Sequence, residues 1–249
     1  MKVFALGDLH LSGKQNKPMD IFGEKWSNHA ERIFEAWQSA VSPQDCVLMP
    51  GDFCWAMQLA DALDDLFAVS ELPGTKLLIR GNHDYWWASP TKMRDLLPPS
   101  MKIIQNDAVD MGRFVVCGSR GWLLPGSAEF GEKDKKIYER ELMRLEMSLN
   151  AALRLARPEE GEEKPVIVML HYPPLTEKGE ATGFTELIAR YPVRDVVYGH
   201  LHAQSCRSAF EGEFGGVNYT LCSADHIRFC PKLIAEFGEK AQDEPDEAD

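Results

Sequence analysis

Short apolar runs alternate along the chain with longer stretches in which apolar residues recur at helical spacing. The short runs are rich in Val, Ile and Leu and lack an apolar/polar alternation, a pattern typical of strands buried on both faces under helices. We predict strands over KVFAL (2–6), DCVLM (45–49), TKLLI (75–79), FVVCG (114–118), VIVML (166–170), DVVY (195–198) and VNYTLC (217–222).

Three amphipathic stripes lie between these runs and predict helices. Asn28 is placed to cap the first of these helices, with Glu31 at the third position. The stripes are Ala30, Ile33, Phe34, Trp37 and Val41; Leu59, Leu63, Leu66 and Phe67; and Leu142, Leu145, Leu149 and Leu153. Alternating strands and helices predict an α/β fold.

The composition is that of an ordinary globular protein. The 249 residues are 44% hydrophobic and 27% charged, close to the average for soluble domains. No apolar stretch approaches the ~20 residues that cross a bilayer, and MKVFALGDLH at the start lacks the features of a signal peptide. We therefore expect a cytoplasmic protein without a membrane partner, with one domain over 1–237 and an acidic tail over 238–249 of a composition typical of disorder.

The net charge bears on the kind of partner that the protein binds. The chain has a formal net charge of -12, and binding of a long nucleic-acid duplex is driven by neutralising phosphates. This balance argues against such a duplex but allows a small phosphorylated substrate held by cations in a local site.

The six cysteines show no CxxC spacing, which favours reduced, mostly buried thiols over a disulfide framework.

Five of the apolar runs lead into Asp, His or Asn within three residues of their end. These residues are Asp8 and His10; Asp52; Asn82, His83 and Asp84; His171; and His200 and His202. In a largely parallel sheet such loops leave the same edge, where ligands bind in α/β folds. Five of the seven histidines fall in these loops, so we expect the side chains to form one site.

Each motif alone has a purely structural explanation. A GD pair after a strand is usually a turn, and a lone histidine in a loop is usually exposed or hydrogen-bonded. Several carboxylates and imidazoles that converge on one point are costly without a cation, and they are the ligands of two-metal sites. Metal binding is therefore the favoured interpretation of the joint pattern.

The ordered blocks DLH, GDF, GNHD, His171 and GHLH resemble the D-x-H, GD, GNH[DE], H and GHxH blocks of the calcineurin-like metallophosphoesterases. They span residues 8 to 202. The resemblance implies a hydrolase of phosphate esters. It also implies a four-layer α/β/β/α sandwich of two mixed sheets flanked by helices, with a di-metal site at the carboxyl ends of the strands.

The same resemblance implies the ligands of two divalent metal ions. One ion would be held by Asp8, His10, Asp52 and His202, and the other by Asp52, Asn82, His171 and His200, with Asp52 bridging. Donors of these types accept Mn, Fe, Zn, Co or Ni, so the residues do not specify the metal.

The remaining residues of the GNHD block carry a hypothesis about catalysis. We interpret His83 as facing the substrate as a general acid, and Asp84 as the hydrogen-bond partner that fixes its tautomer and charge. Arg120 in GSRGW is a candidate phosphate clamp, the alternative being a surface ion pair. Many relatives have an acid where Trp55 stands here, and Trp55 is expected either to wall the pocket or to pack in the core.

The favoured function is hydrolysis of a small phosphomonoester, phosphodiester or nucleotide. A phosphoprotein phosphatase or a nuclease is the alternative within enzymes, and the acidic balance disfavours the nuclease. A non-catalytic metal-binding scaffold of the same fold is the alternative outside enzymes, and the presence of His83 and of all the ligand positions argues against it. Segments 11–27 and 121–135 are expected to set substrate specificity.

Overall fold

The computed structural model describes residues 1–13, 17, 19–157 and 162–238. Its strands are β1 (Lys2–Ala5), β2 (Cys46–Met49), β3 (Thr75–Leu78), β4 (Met101–Ile103), β5 (Ala108–Asp110), β6 (Val115–Ser119), β7 (Val166–Leu170), β8 (Val193–Tyr198), β9 (Gly212–Phe214), β10 (Val217–Leu221) and β11 (Lys232–Glu236). Its α-helices are α1 (His29–Ala40), α2 (Leu59–Ser70), α3 (Pro90–Leu96), α4 (Glu132–Ala156) and α5 (Gly183–Ile188). Apart from Gly238, the predicted acidic tail lies outside the described residues.

The strands form two mixed sheets. The first has the order β11-β1-β2-β3-β4, with β1 to β4 parallel and β11 antiparallel at its edge. The second has the order β5-β6-β7-β8-β10-β9, with β6, β7, β8 and β10 parallel and an antiparallel strand at each edge. Parallel order brings the carboxyl ends of the central strands of each sheet to one edge.

Three hydrophobic layers hold the sheets and helices together. The middle layer lies between the sheets and includes Ala5 and Leu48 from the first sheet and Val116 and Ile167 from the second. One outer layer packs α1 and α2 on the first sheet, and the other packs α4 and α5 on the second. The predicted four-layer α/β/β/α sandwich is confirmed. Continuous apolar strands are what a sheet covered on both faces requires.

All seven predicted strands occur, with ends that differ by at most two residues. Strand β11, the three-residue strands β4, β5 and β9 and the helices α3 and α5 were not predicted. Asn28 occupies the N-cap position of α1, as predicted, and Glu31 is the third helical residue. Asn28 has a φ of 51° and makes no side-chain capping bond, because a capping side chain needs an extended backbone at that position. No helix in the described ranges is long and apolar enough to cross a membrane.

Candidate metal centre

The loops that follow β1, β2, β3, β7 and β8 meet at one edge of the sandwich. Backbone hydrogen bonds join them: the Asp8 amide donates to the Gly51 carbonyl at 2.9 Å, and the His10 amide donates to the Asp52 carbonyl at 3.1 Å. Within the second sheet, the Gly199 amide donates to the His171 carbonyl at 3.1 Å. The two sheets are joined where the His200 amide donates to both carboxylate oxygens of Asp8 at 3.0 Å. The loops therefore form a single site.

Four of the predicted donors form a first group around facing imidazole nitrogens. The Nε2 atoms of His10 and His202 are 3.3 Å apart. The Nε2 of His202 lies 3.5 Å from Asp8 Oδ1, and the Nε2 of His10 lies 3.8 Å from Asp52 Oδ2. One donor atom each from Asp8, His10 and His202 lies within 4.8 Å of the others, a spacing that one cation can span.

A second group of donors includes the same Asp52 carboxylate. The Nε2 of His171 lies 3.6 Å from Asp52 Oδ2 and 2.6 Å from Asn82 Oδ1. The Nδ1 of His200 lies 2.9 Å from the same Asn82 oxygen. The structure thus brings all seven predicted donors together and puts Asp52 Oδ2 between the two groups.

Burial and mutual charge perturb the titration of this cluster. Burial and the charge of Asp8 raise the pKa of Asp52 to about 8, and burial lowers the pKa of His200 to about 3. Burial opposes charge on His202 as well, but its hydrogen bonds to Asp225 and Asp8 outweigh burial and raise its pKa to about 10. The carboxylates and imidazoles therefore compete for protons in a buried site.

This donor set fits divalent cations. Two carboxylates, an amide oxygen and four imidazoles are nitrogen and oxygen ligands of the kind that two-metal hydrolases use. The facing nitrogens of His10 and His202 can share their space only with a proton or a cation between them, because two lone pairs repel. Burial lowers the pKa of His10 and of His171, and the neutral imidazole is the form that binds metal.

Two histidines of the cluster are oriented by hydrogen bonds that their Nδ1 atoms make outside the donor cluster. The Nδ1 of His171 donates to the Pro50 carbonyl at 2.9 Å, and the Nδ1 of His202 donates to Asp225 Oδ1 at 2.8 Å. Such contacts fix the tautomer and leave Nε2 free for a ligand. Sequence reasoning missed Asp225, which lies in the turn after β10. The available signal was the acid in SADHI directly after the predicted strand VNYTLC.

The predicted contact between Asp84 and the His83 ring is wrong. The buried Asp84 carboxylate accepts four hydrogen bonds, from the backbone amides of Asp52, Phe53 and Gly81 and from the Trp86 indole, at 2.7 to 3.0 Å. Because these donors surround the carboxylate, Asp84 holds the loops after β2 and β3 together rather than the imidazole. Its position supports Asp52, whose Oδ1 accepts from the His83 amide at 2.8 Å.

Aromatic rings pack around His83 and the first group. The Trp55 ring stacks on His10 with centroids 4.7 Å apart and lies at the same distance from the His83 ring. Its indole nitrogen contacts Met19 Sδ at 3.2 Å, and Lys17 Nζ lies 3.3 Å from its centroid. Trp55 therefore lines the site. Lys17 and Met19, which belong to segment 11–27, pack against Trp55. Residues 14–16 and 18 of that segment lie outside the described residues.

Arg120 directly follows strand β6. Its carbonyl oxygen accepts the amides of His171 and Tyr172 at 3.0 Å. Its guanidinium is mostly buried, lies 3.4 Å from Glu141 Oε1 and stacks over Trp122 at 4.4 Å. The ion pair is thus partly interior rather than a surface contact.

Two helix-covered sheets with Asp, Asn and His side chains clustered at the strand ends are an arrangement typical of metal-dependent hydrolases. The family described as calcineurin-like phosphoesterase matches residues 1–204, which is most of the chain. The chain therefore belongs to the calcineurin-like phosphoesterase family and is a hydrolase that acts on phosphate esters.

Two solved structures illustrate the shared fold. The phosphopantetheinyl hydrolase of Mycobacterium tuberculosis aligns with a TM-score of 0.52 and 13% identity over 100% of this chain and 98% of that chain. A protein of unknown function from Aquifex aeolicus aligns with a TM-score of 0.50 and 14% identity over 93% of this chain and 95% of that chain. Such low identities show the fold alone. No curated protein matches the chain significantly in sequence.

Proposed function

We propose that the chain hydrolyses a small phosphomonoester, phosphodiester or nucleotide at a centre of two divalent metal ions. The observation that carries the proposal is the convergence of seven donors from five loops, with Asp52 Oδ2 within 3.8 Å of His10 Nε2 and 3.6 Å of His171 Nε2. The net charge of -12 supports a small substrate over a long nucleic acid.

We propose that Asp8, His10, Asp52 and His202 hold one ion, and that Asp52, Asn82, His171 and His200 hold the other. The cluster of Asp8, His10 and His202 supports the first set, and the contacts of Asn82 with His171 and His200 support the second. When bound, two such ions neutralise phosphate charge and lower the pKa of a water between them toward neutrality.

His83 is the residue we propose as general acid for the leaving oxygen. Its ring is half-buried with its centroid 5.8 Å from that of His10, and no described residue hydrogen-bonds its ring nitrogens, so both are open to a substrate. Burial lowers the pKa of His83. An anionic ester against the ring would raise that pKa again, because it favours the imidazolium.

The test of this role is His83→Ala with esters of different leaving groups, assayed with Mn-loaded protein. A positioned acid contributes about 10²–10⁴-fold, so we expect a loss of that size with alkyl phosphates. The loss with p-nitrophenyl phosphate should be much smaller, since p-nitrophenolate leaves without a proton. Metal content measured by elemental analysis should stay at the wild-type value. Equal losses on both esters would refute the acid role.

The metal centre itself is tested by Asp52→Asn and by a substrate panel. Asp52→Asn should lose bound metal and activity together, because Asp52 contributes to both groups of donors. The panel compares phosphomonoesters, phosphodiesters, nucleotides, phosphopeptides and DNA oligonucleotides. Turnover confined to phosphopeptides or DNA would replace the small-substrate proposal. Metal binding without turnover on any ester would favour the scaffold.

A further inference from the structure

A basic cavity lies beside the loops that carry the candidate metal ligands. It has a volume of about 220 Å³ and lies under helix α4 at the carboxyl ends of β3, β4 and β6. Its charged lining residues are Arg80, Arg120, Arg140, Arg144 and Glu141. We name this space the arginine cavity.

The charges that line the arginine cavity are unbalanced. Glu141, which is 1% exposed, contacts Arg144 Nη1 at 2.7 Å and Arg120 Nη2 at 3.4 Å through the same oxygen. The Nε of Arg120 is buried and has no hydrogen-bond partner in the described part of the chain, and Arg140 forms no ion pair there. The cavity lining thus has one carboxylate for four guanidinium groups, in a protein of net charge -12.

The arginine cavity lies within reach of a ligand bound at the metal centre. Arg80 precedes Asn82 by two residues, and consecutive Cα atoms are ~3.8 Å apart, so their Cα atoms are at most ~7.6 Å apart. On the opposite wall, the Arg120 carbonyl accepts the His171 amide at 3.0 Å. Both cavity walls are therefore continuous with loops that carry candidate metal ligands.

We propose that the arginine cavity is a subsite for a phosphate group. Guanidinium forks bind phosphate oxygens in pairs, and a phosphate dianion balances more of the excess positive charge than a carboxylate does. The group belongs either to the far end of a bisphosphorylated substrate or to free inorganic phosphate. The assignment to a substrate phosphate rests on the proposed function, whereas the assignment to free inorganic phosphate does not.

The direct test is calorimetric titration of inorganic phosphate into the full chain after chelator treatment, with folding verified by circular dichroism. Chelator treatment removes metal ions that would bind phosphate at the candidate centre, so an effect of an Arg140 substitution reports on the arginine cavity. Wild type should bind, and the exposed substitution Arg140→Ala should weaken binding at least about tenfold, or ~1.4 kcal/mol. Arg140→Lys should lose less, and Arg154→Ala, an exposed change on the same helix outside the cavity, should bind as wild type. Absence of binding to wild type, or equal binding by Arg140→Ala and Arg154→Ala, would overturn the proposal.

A competition assay identifies the source of the phosphate. Adenosine 5′-monophosphate and adenosine 3′,5′-bisphosphate are compared as inhibitors of p-nitrophenyl phosphate hydrolysis by the Mn-loaded protein. If the cavity holds a substrate phosphate, the bisphosphate should inhibit at least about tenfold more strongly, and Arg140→Ala should remove that difference. Equal inhibition by the two nucleotides, together with phosphate binding in the calorimeter, assigns the cavity to free phosphate. Failure of every small ester in the substrate panel to turn over would refute the proposed function and leave the calorimetric result decisive for the cavity.

Discussion

The sharpest prediction concerns the close approach of Gly81 to Asp52. A Cβ added at Gly81 would lie 2.1 Å from Asp52 Oδ1 and 2.3 Å from the Asp52 backbone nitrogen. Ordinary contact begins at 3.4 Å, so in Gly81→Ala the methyl group and the carboxylate must move apart by about 1.3 Å. The backbone nitrogen, at 2.3 Å, is also far inside ordinary contact, so a side-chain rotation of Asp52 alone cannot relieve the clash.

The expected consequence is loss of function with moderate loss of stability. A displacement of ~1 Å in a catalytic group can cost about 10²-fold in rate, and overpacking costs typically ~1–3 kcal/mol of unfolding free energy. We therefore expect Gly81→Ala to show at least about 100-fold lower kcat/KM on p-nitrophenyl phosphate and reduced bound metal in elemental analysis. Thermal unfolding should show that the variant still folds.

The matched control is Gly131→Ala. Neither glycine has a left-handed backbone, but a Cβ at Gly131 would meet only the Asp134 carboxylate, at 3.6 Å. This variant should retain wild-type metal content and kcat/KM. If Gly81→Ala also folds, binds metal and turns over as wild type does, Asp52 is not a positioned part of the reaction centre and the reasoning fails.

Three further predictions use other parts of the structure. Asp225→Ala, which removes the acceptor that orients His202, should weaken metal affinity about 10–100-fold in a chelator competition; unchanged affinity would contradict this role. Burial lowers the pKa of Lys76 from 10.5 to about 8, so the unfolded chain binds more protons between these pH values. The unfolding free energy of wild type relative to Lys76→Met should therefore rise from pH 8 to 10.5 by up to ~3 kcal/mol in urea titrations, and a falling difference would refute it. Iodoacetamide should label the exposed Cys230 in the native protein before the buried Cys46, whose pKa burial raises to about 12; equal labelling rates in mass spectra would count against the fold.

The sequence predicted the central strands and the donor loops because both depend on local signals. A strand such as β7 is apolar throughout, since both of its faces are covered, and that pattern is unambiguous. His171 follows it directly, so its place at the sheet edge follows from the strand assignment. Parallel pairing then brings such loops together without further information.

The missed features depend on tertiary contacts that no local pattern encodes. Strands β4, β5 and β9 have three residues each, too few to show periodicity. Asp225 meets His202 only because β10 pairs with β8. The direction of Asp84 depends on three amides and an indole that surround it after folding, and adjacency to His83 in sequence could not reveal them.

The backbone at the candidate centre is strained and is held in that conformation by hydrogen bonds. Asp8, His10, Asp52 and His200 have positive φ values of 55°, 46°, 53° and 74°, and such conformations cost about 1–3 kcal/mol each in residues other than glycine. The strain persists because the same residues are locked by hydrogen bonds: the Asp8 carboxylate accepts the His200 amide, and Asp52 Oδ1 accepts the His83 amide. Each carboxylate therefore both presents an oxygen to the centre and ties a neighbouring loop in place. A substitution that removes either carboxylate should therefore displace a neighbouring loop and remove a metal donor at the same time. Asp8 and Asp52 thus contribute both to the stability of this edge of the sandwich and to its metal binding.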